Sequence, residues 1–352
     1  MTDLILRIQS QITSGFPFAV FSKPGSNIVT GVFQKDAEAH FLTEFNQQGF
    51  VFAPFNGDER CFIPAKASDV LSVQFNDDGY VPSELKTVAI DEKAKSDFEG
   101  LVTKCVSVIQ QGAFDKLVAS RTEIAKLSNT DVTDIFQKLL YTYPMAYKYC
   151  FYHPKSGLWM GATPEQLLKV EDKVLHTVAL AGTQVYKENE QAVWEDKEKV
   201  EQLFVTDYIV ESLYKYAENV QVTAPYTFRA GNIVHIKTDI SARIESLDNL
   251  KGIIEQLHPT PAVCGLPKQK AKKFLMENEG YDRNYYSGFL GEINKDFRTG
   301  ESKTDLFVNL RCMKIENNNA HLYIGCGITK DSDPEKEFLE TVNKSMTMRK
   351  VI

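Results

Sequence analysis

The chain has 352 residues, 43% of them hydrophobic, enough to bury a substantial core in one large domain or two smaller ones. Its net charge of −7 excludes a nucleic-acid binder that works by neutralising phosphates, yet it leaves room for a local cationic pocket that takes a small anion. Six scattered cysteines with no CxxC pair read as reduced thiols of a cytoplasmic protein, and no apolar run reaches the roughly 18 residues of a membrane span.

The N-terminal MTDLILRIQSQITSGFPF mixes Asp, Arg and Gln into its apolar residues and is not expected to be a signal peptide. Residues 1–88 read as short strands broken by turns, as in FAVFSKPGSN, IVTGVF and GFVFAPFNGDE. A helix follows over 91–112, with Phe98, Leu101, Val102, Cys105, Val108 and Ile109 in one stripe and Gly112 at its C-terminal cap. Strands are expected near 116–126, 148–152, 158–161, 166–170 and 174–180. A long helix spans 193–217, with Val200, Leu203, Phe204, Val210 and Leu213 as its apolar stripe, and another lies over 246–257. A Gly-punctuated segment (285–293) leads to strands over 305–315 and 320–328, joined by the turn in IENNNAHL. A last helix starts at Asp333-Pro334, a good cap followed by a good first residue. Strands in runs with helices between the blocks predict an α+β fold with largely antiparallel sheets. Neither GxGxxG nor a Walker-type GxxxxGK[ST] occurs.

Several side chains sit oddly in these elements. Glu201 shares a helical flank with Phe204, Val205 and Tyr208, so it borders the buried side; it is either a snorkelling carboxylate or a ligand group. Glu337, Glu340 and Lys344 share one helix face, which fits either a solvated ion-pair surface or a ligand site. Arg311 alternates onto a strand face with Phe307, Asn309, Met313 and Ile315 and needs an acceptor there, from the protein or from a carboxylate ligand. Gly325 and Gly327 would let backbone N–H groups approach a small anion. Lys116, on a face with Val118 and Ser120, is a strand-edge gatekeeper or, desolvated, a general base.

Read together, the segments KLVASR (116–121), GATPEQLL (161–168), ALAGT (179–183), HIKTDI (235–240), LHPTPAVCGLP (257–267), DRNYYSGFLG (282–291), VNLRC (308–312), YIGCGI (323–328) and SDPEKEFLETVNK resemble the chorismate-utilising enzymes, and within them the isochorismate synthases. The resemblance runs in order from about residue 95 to the end, so residues 91–352 are expected to be the chorismate-binding catalytic region. Residues 1–90 are expected to be a strand-rich portion of the same α/β sandwich, a single large domain. The resemblance implies two mostly antiparallel sheets layered between helices, as in anthranilate synthase component I, and a Mg²⁺-dependent reaction. In such enzymes water attacks C2 of chorismate while the C4 hydroxyl leaves. It further implies Lys116 as the base that activates water, Glu165 as the acid that protonates the departing hydroxyl, and His235 as an active-site histidine. Glu201 and Glu340 fall on metal ligands, with Glu337 and Glu198 as water-mediated neighbours. Arg311 matches a clamp on the pyruvyl carboxylate with Tyr286 close by. Gly182, Thr183, Ala262, Gly325, Gly327 and Lys344 complete the expected substrate site.

Lys116 sets the chain apart from the anthranilate and aminodeoxychorismate synthases, as does Ala181 where the latter carry a lysine. The run from His258 to Ala262 favours isochorismate synthase over salicylate synthase, in which isochorismate goes on to lose pyruvate. A non-catalytic chorismate-binding protein is the third reading, and the retained acid–base pair argues against it. No glutamine amidotransferase subunit, nucleic acid or membrane is expected as a partner; a monomer or weak homodimer is, with isochorismate passing to menaquinone or siderophore synthesis. One departure stands out: Lys197-Glu198-Lys199 precedes the metal glutamate and Gln202 follows it, where the family commonly has Lys-Asp-Arg before and His after.

Overall fold

The N-terminal segment is not all strand: residues 2–14 form helix α1 (Thr2–Ser14), with Leu4, Ile8 and Gln11 buried on one face. It ends at Gly15, whose φ of +68° suits glycine. The computed structural model describes residues 1–76, 90–127, 131–186, 188, 191–230 and 233–352, without the side chains of residues 183, 185, 197, 230 and 233.

After α1 come β1 (Phe18–Ser22), β2 (Ile28–Gln34), β3 (His40–Phe41), β4 (Gly49–Ala53), β5 (Cys61–Pro64) and β6 (Ser68–Gln74). Helix α2 (Glu92–Gln110) is capped by Asp91, which accepts from the N–H groups of Lys93 and Ala94, and it buries Phe98, Val102, Cys105 and Ile109. Strand β7 (Lys116–Lys126) matches its expected span, and α3 (Val132–Thr142), which was not expected, buries Ile135, Phe136, Leu139 and Leu140. Then follow β8 (Tyr147–His153), β9 (Gly157–Thr163), β10 (Gln166–Glu171), β11 (Val174–Val185), α4 (Asp196–Leu213), β12 (Glu218–Val222), β13 (Tyr226–Ala230), β14 (Ile233–Arg243) and α5 (Asn249–Leu257). The chain closes with β15 (Gly265–Leu266), α6 (Lys268–Asn278), β16 (Phe289–Ile293), β17 (Lys303–Val308), β18 (Cys312–Glu316), β19 (Asn319–Ile328) and α7 (Pro334–Arg349).

Two sheets result, one ordered β15-β7-β19-β18-β9-β8-β1-β2-β6 and the other β12-β14-β11-β10-β17-β16-β4-β5-β3, with β13 paired to β14. Neighbouring strands pair antiparallel, as expected. Their facing sides interlock through Phe21, Phe50, Phe52, Tyr149, Phe151, Trp159, Tyr285 and Phe307. Helices α1 and α3 cover the outer face of the first sheet, α4 and α5 that of the second, while α2, α6 and α7 pack beside β7 and β19.

Two expectations fail here. The run 305–315 is not one strand: β17 ends in the second sheet, the chain crosses at 309–311, and β18 begins in the first. Arg311 therefore shares no strand face with Phe307; it stands in the crossing at φ +47°. Of the stripe assigned to α4, only Val210 and Leu213 pack against the core. Val200, Leu203 and Phe204 are exposed, and the packed face carries Gln202, Val205, Thr206, Ile209 and Leu213. Two of those positions are polar because they bond inside the layer: Gln202 Nε2 donates to Thr238 Oγ1 at 2.7 Å and to Thr206 Oγ1 at 2.9 Å.

The IENNNAHL turn joins β18 to β19 through Asn317 and Asn318, both at positive φ, where asparagine is tolerated. At α7, Asp333 accepts from Lys336 N–H at 2.9 Å, with Pro334 in the first turn. Among the described residues no helix is long and apolar enough to cross a membrane.

Candidate active site

The first sheet contributes Lys116, at the start of β7. Its neighbour β19 pairs Gly327 with Val118 and Gly325 with Ser120, placing both glycines on the inner face beside it. A Cβ on Gly327 would sit 3.1 Å from Lys116 Cε, and one on Gly325 would sit 2.8 Å from Tyr286 Oη. Glycine thus leaves room for the Lys116 side chain to lie across the strand and for Tyr286 to approach it. Lys116 Nζ donates to Glu201 of α4, so this contact bridges the two layers. Lys344 of α7 donates to Gly325 O at 3.0 Å and pairs with Glu340 at 2.6 Å.

Glu165 and Arg311 come from the two segments that carry the chain between the sheets. Those crossings are pinned side by side: Val308 N–H donates to Glu165 O at 2.9 Å, Thr163 Oγ1 donates to Val308 O at 2.6 Å, and Ala162 N–H donates to Arg311 O at 3.0 Å. Buried Asn309 locks the second crossing, donating to Tyr285 O at 2.8 Å and accepting from Tyr149 Oη at 2.5 Å. The positive φ at Arg311 costs roughly 1 kcal/mol or more, strain that clusters at functional sites.

Burial raises the Glu165 carboxyl above its ordinary value, and the positive charges of Arg311, Lys116 and Lys344 oppose that rise. These three cations therefore lie near enough to Glu165 to act on its charge. Among the described residues no carboxylate pairs with Arg311, whereas Lys116 and Lys344 each hold a glutamate.

The second sheet adds His235, on β14, and Gly182, at φ +69° in the irregular stretch of β11. His235 Nδ1 lies 2.9 Å from Gly182 O; a carbonyl only accepts, so this nitrogen carries the hydrogen. Burial lowers the His235 pKa, the bond to Gly182 offsets part of that, and Arg311 and Lys344 lower it further, leaving a neutral ring at neutral pH. Tyr286, 3% exposed, stacks on Tyr323 with ring centroids 5.7 Å apart. Ala262 lies in the turn before β15, whose Leu266 pairs with Lys116. Thr183 has its backbone in β11, and its side chain falls outside the described residues.

The expected metal ligands are differently engaged. Glu201 and Glu340 hold lysines, while Glu337 is raised by burial, with Ser332 opposing and neighbouring Glu340 adding to the rise. Glu198 is occupied at the start of α4, where its carboxylate accepts from Glu195 N–H at 2.9 Å and from Gln184 Nε2. Among the described residues, the cluster whose ligand atoms all lie within 4.8 Å is Asp36, Glu38 and His40, at the opposite edge of the sandwich. Glu201 and Glu340 nonetheless each offer hard carboxylate oxygens, on side chains whose lysine partners act on Glu165. That chemistry fits Mg²⁺, which is held by few protein carboxylates together with a ligand's oxygens.

Sequence reading missed the support beneath Lys116. Arg283 and Glu279, four residues apart, form a buried pair with side chains 3% and 1% exposed. The i,i+4 spacing was a usable signal, but nothing in the sequence indicated its burial.

A family model for chorismate binding enzymes matches residues 42–352. The chain is 29% identical over 267 residues to the salicylate biosynthesis isochorismate synthase of Pseudomonas aeruginosa, covering 73% of this chain and 55% of that protein. It is 28% identical over 267 residues to the isochorismate synthase MenF of Escherichia coli strain K12, covering 73% and 60%. The chain thus matches 55% and 60% of the length of these two curated relatives. Among solved structures it is similar to the menaquinone-specific isochorismate synthase MenF from Escherichia coli, at TM-score 0.78 and 21% identity, covering 96% of this chain and 89% of that one. It is also similar to anthranilate synthase component I from Streptococcus pneumoniae TIGR4, at TM-score 0.67 and 20% identity, covering 94% and 90%. At these identities the likeness shows the shared fold.

Proposed function

The chain belongs to the chorismate-binding enzymes, and we propose that its reaction is the Mg²⁺-dependent conversion of chorismate to isochorismate. The observation that carries this reading is the half-buried carboxyl of Glu165 with Arg311, Lys116 and Lys344 near it. A dianionic substrate needs cations that the protein does not neutralise itself, and Arg311 meets that need. A hydroxyl leaves poorly unless protonated, and burial keeps Glu165 toward its protonated form.

In this mechanism Lys116 acts as the base that takes a proton from water as the oxygen bonds to C2. The ring double bond shifts, the C4–oxygen bond breaks, and Glu165 gives its proton to the departing hydroxyl, which leaves as water. Atoms balance, and the lysine and glutamate return to their starting states through solvent. Arg311 clamps the pyruvyl carboxylate with Tyr286 beside it, the amides near Gly182, Gly325 and Gly327 line the anion's path, and neutral His235 orients a substrate oxygen. Glu201 and Glu340, with Glu337 one turn away, would hold the magnesium ion, which supplies Lewis-acid charge neutralisation at the ring carboxylate. The isochorismate formed would serve menaquinone or siderophore synthesis.

Purified protein given chorismate and Mg²⁺ is expected to yield isochorismate without ammonia and without a partner subunit. Anthranilate, or salicylate with pyruvate, as the principal product would refute this choice within the family.

A further inference from the structure

Strand β7 runs near the edge of its sheet where it carries Lys116. On one side it pairs with β19; on the other, β15 covers only Lys116 and Leu117, through Leu266 and Gly265. Past that point Val118 N–H still reaches Cys264 O at 2.8 Å, but the next outward groups of β7 meet no strand. Two side chains take the strand's place. Arg283 Nη2 donates to Val118 O at 2.6 Å, and the Glu279 carboxylate accepts from Ser120 N–H at 2.8 Å. An acceptor at one residue and a donor two residues on is the pattern a neighbouring strand would satisfy.

The same ion pair reaches two other segments of the site. Its own bonds are doubled, Nε to Oε2 at 2.7 Å and Nη2 to Oε1 at 2.5 Å. Arg283 Nη1 donates to Val263 O at 2.9 Å, beside Ala262, and the guanidinium lies 5.8 Å from the ring centroid of Tyr286 and 4.5 Å from that of Phe55. Ser120 Oγ donates to Glu279 at 2.8 Å, and the Tyr281 hydroxyl lies 2.6 Å from Ser120 Oγ. Stability alone is a weak reason to keep such a pair, because apolar replacements of buried ion pairs are often neutral or stabilising.

We propose that the Glu279–Arg283 pair is a positioning element that completes the edge of β7 and registers Lys116, the Ala262 turn and Tyr286 against one another, in the reaction proposed above, on which it rests. Neither residue touches the reacting atoms. The pair's loss should displace the Lys116 amine most, through the β7 backbone it holds, while Arg311 and Lys344, which it does not touch, stay in place.

Arg283→Lys keeps the charge and loses the fork. At a temperature where circular dichroism shows the variant folded, kcat for chorismate is expected to fall about 10- to 100-fold, with KM changed less than about threefold. The Ser120 amide should also exchange hydrogen faster in this variant, relative to amides of β8 and β9. Should Arg283→Lys not fold, Ser120→Ala and Tyr281→Phe carry the same kcat and exchange readouts with smaller expected losses. A kcat that follows only the folded fraction, a loss borne by KM alone, or unchanged exchange at Ser120 would overturn the proposal. A wild-type protein that forms no isochorismate defeats the functional reading instead, and the exchange measurement still decides whether the pair holds the strand edge.

Discussion

Two regions of this sandwich bury charge, and they do it in opposite ways. Between the sheets, away from the cleft, Lys23 Nζ lies 2.5 Å from Glu292, 3.0 Å from Asp296 and 3.7 Å from Asp305. Those carboxylates are also met by the N–H groups of Phe297, Arg298 and Thr299 and by Gln166. Every charge in that cage finds its partner inside the protein, which is the signature of a structural clamp. In the cleft, by contrast, Arg311 has no carboxylate partner among the described residues. A half-buried guanidinium that the protein does not pair is available to an anion from outside.

Mutations should separate the two regions cleanly. Lys116→Ala and Glu165→Gln are each expected to cut kcat by about 10²- to 10⁴-fold with little change in melting temperature, as steady-state kinetics and calorimetry will report. Lys23→Met should do the reverse, costing about 3–5 kcal/mol of stability in urea titrations because three carboxylates lose their shared cation, while activity per folded molecule holds. Loss of turnover in folded Lys23→Met would dissolve the contrast. Arg311→Lys keeps a charge but not the planar fork, so KM is expected to rise about 10-fold or more, with a smaller change in kcat.

The Lys23 cage also predicts a pH slope. Burial, against the pull of Lys23, raises the Glu292 carboxyl from 4.5 to about 7. The folded state then binds this proton more tightly than the unfolded chain, so Glu292 lowers stability progressively as pH rises from about 4.5 to about 7, and the loss is complete above that. Glu292→Gln should flatten this part of the stability profile in urea titrations at a series of pH values. A slope identical to that of the wild type would show that the carboxyl titrates as an ordinary one.

The contrast between cage and cleft also marks what could be read in the sequence. Strand and helix spans such as β7, α2 and α7 follow from periodicity and, for α7, from the cap at Asp333. Arg311 was legible as an oddity but not as part of a crossing, because VNLRC holds no Gly or Pro to signal where the chain leaves one sheet for the other. The stripe on α4 misled because its packed face uses Gln202 and Thr206, hydrogen-bonded within the layer, and leaves Phe204 outside. Helix α6 escaped notice because its buried residues are only Ala271 and Leu275 on a lysine-rich surface. The Lys23 cage joins residues about 270 apart in sequence, a contact that no local pattern encodes.

The most direct measurement follows the oxygen. With chorismate and Mg²⁺ in oxygen-18-labelled water, the isochorismate formed should carry one labelled oxygen, at C2, and Glu165→Gln should form almost none. Unlabelled isochorismate, or product made by Glu165→Gln at the wild-type rate, would contradict a water addition driven by Lys116 and Glu165 across the cleft.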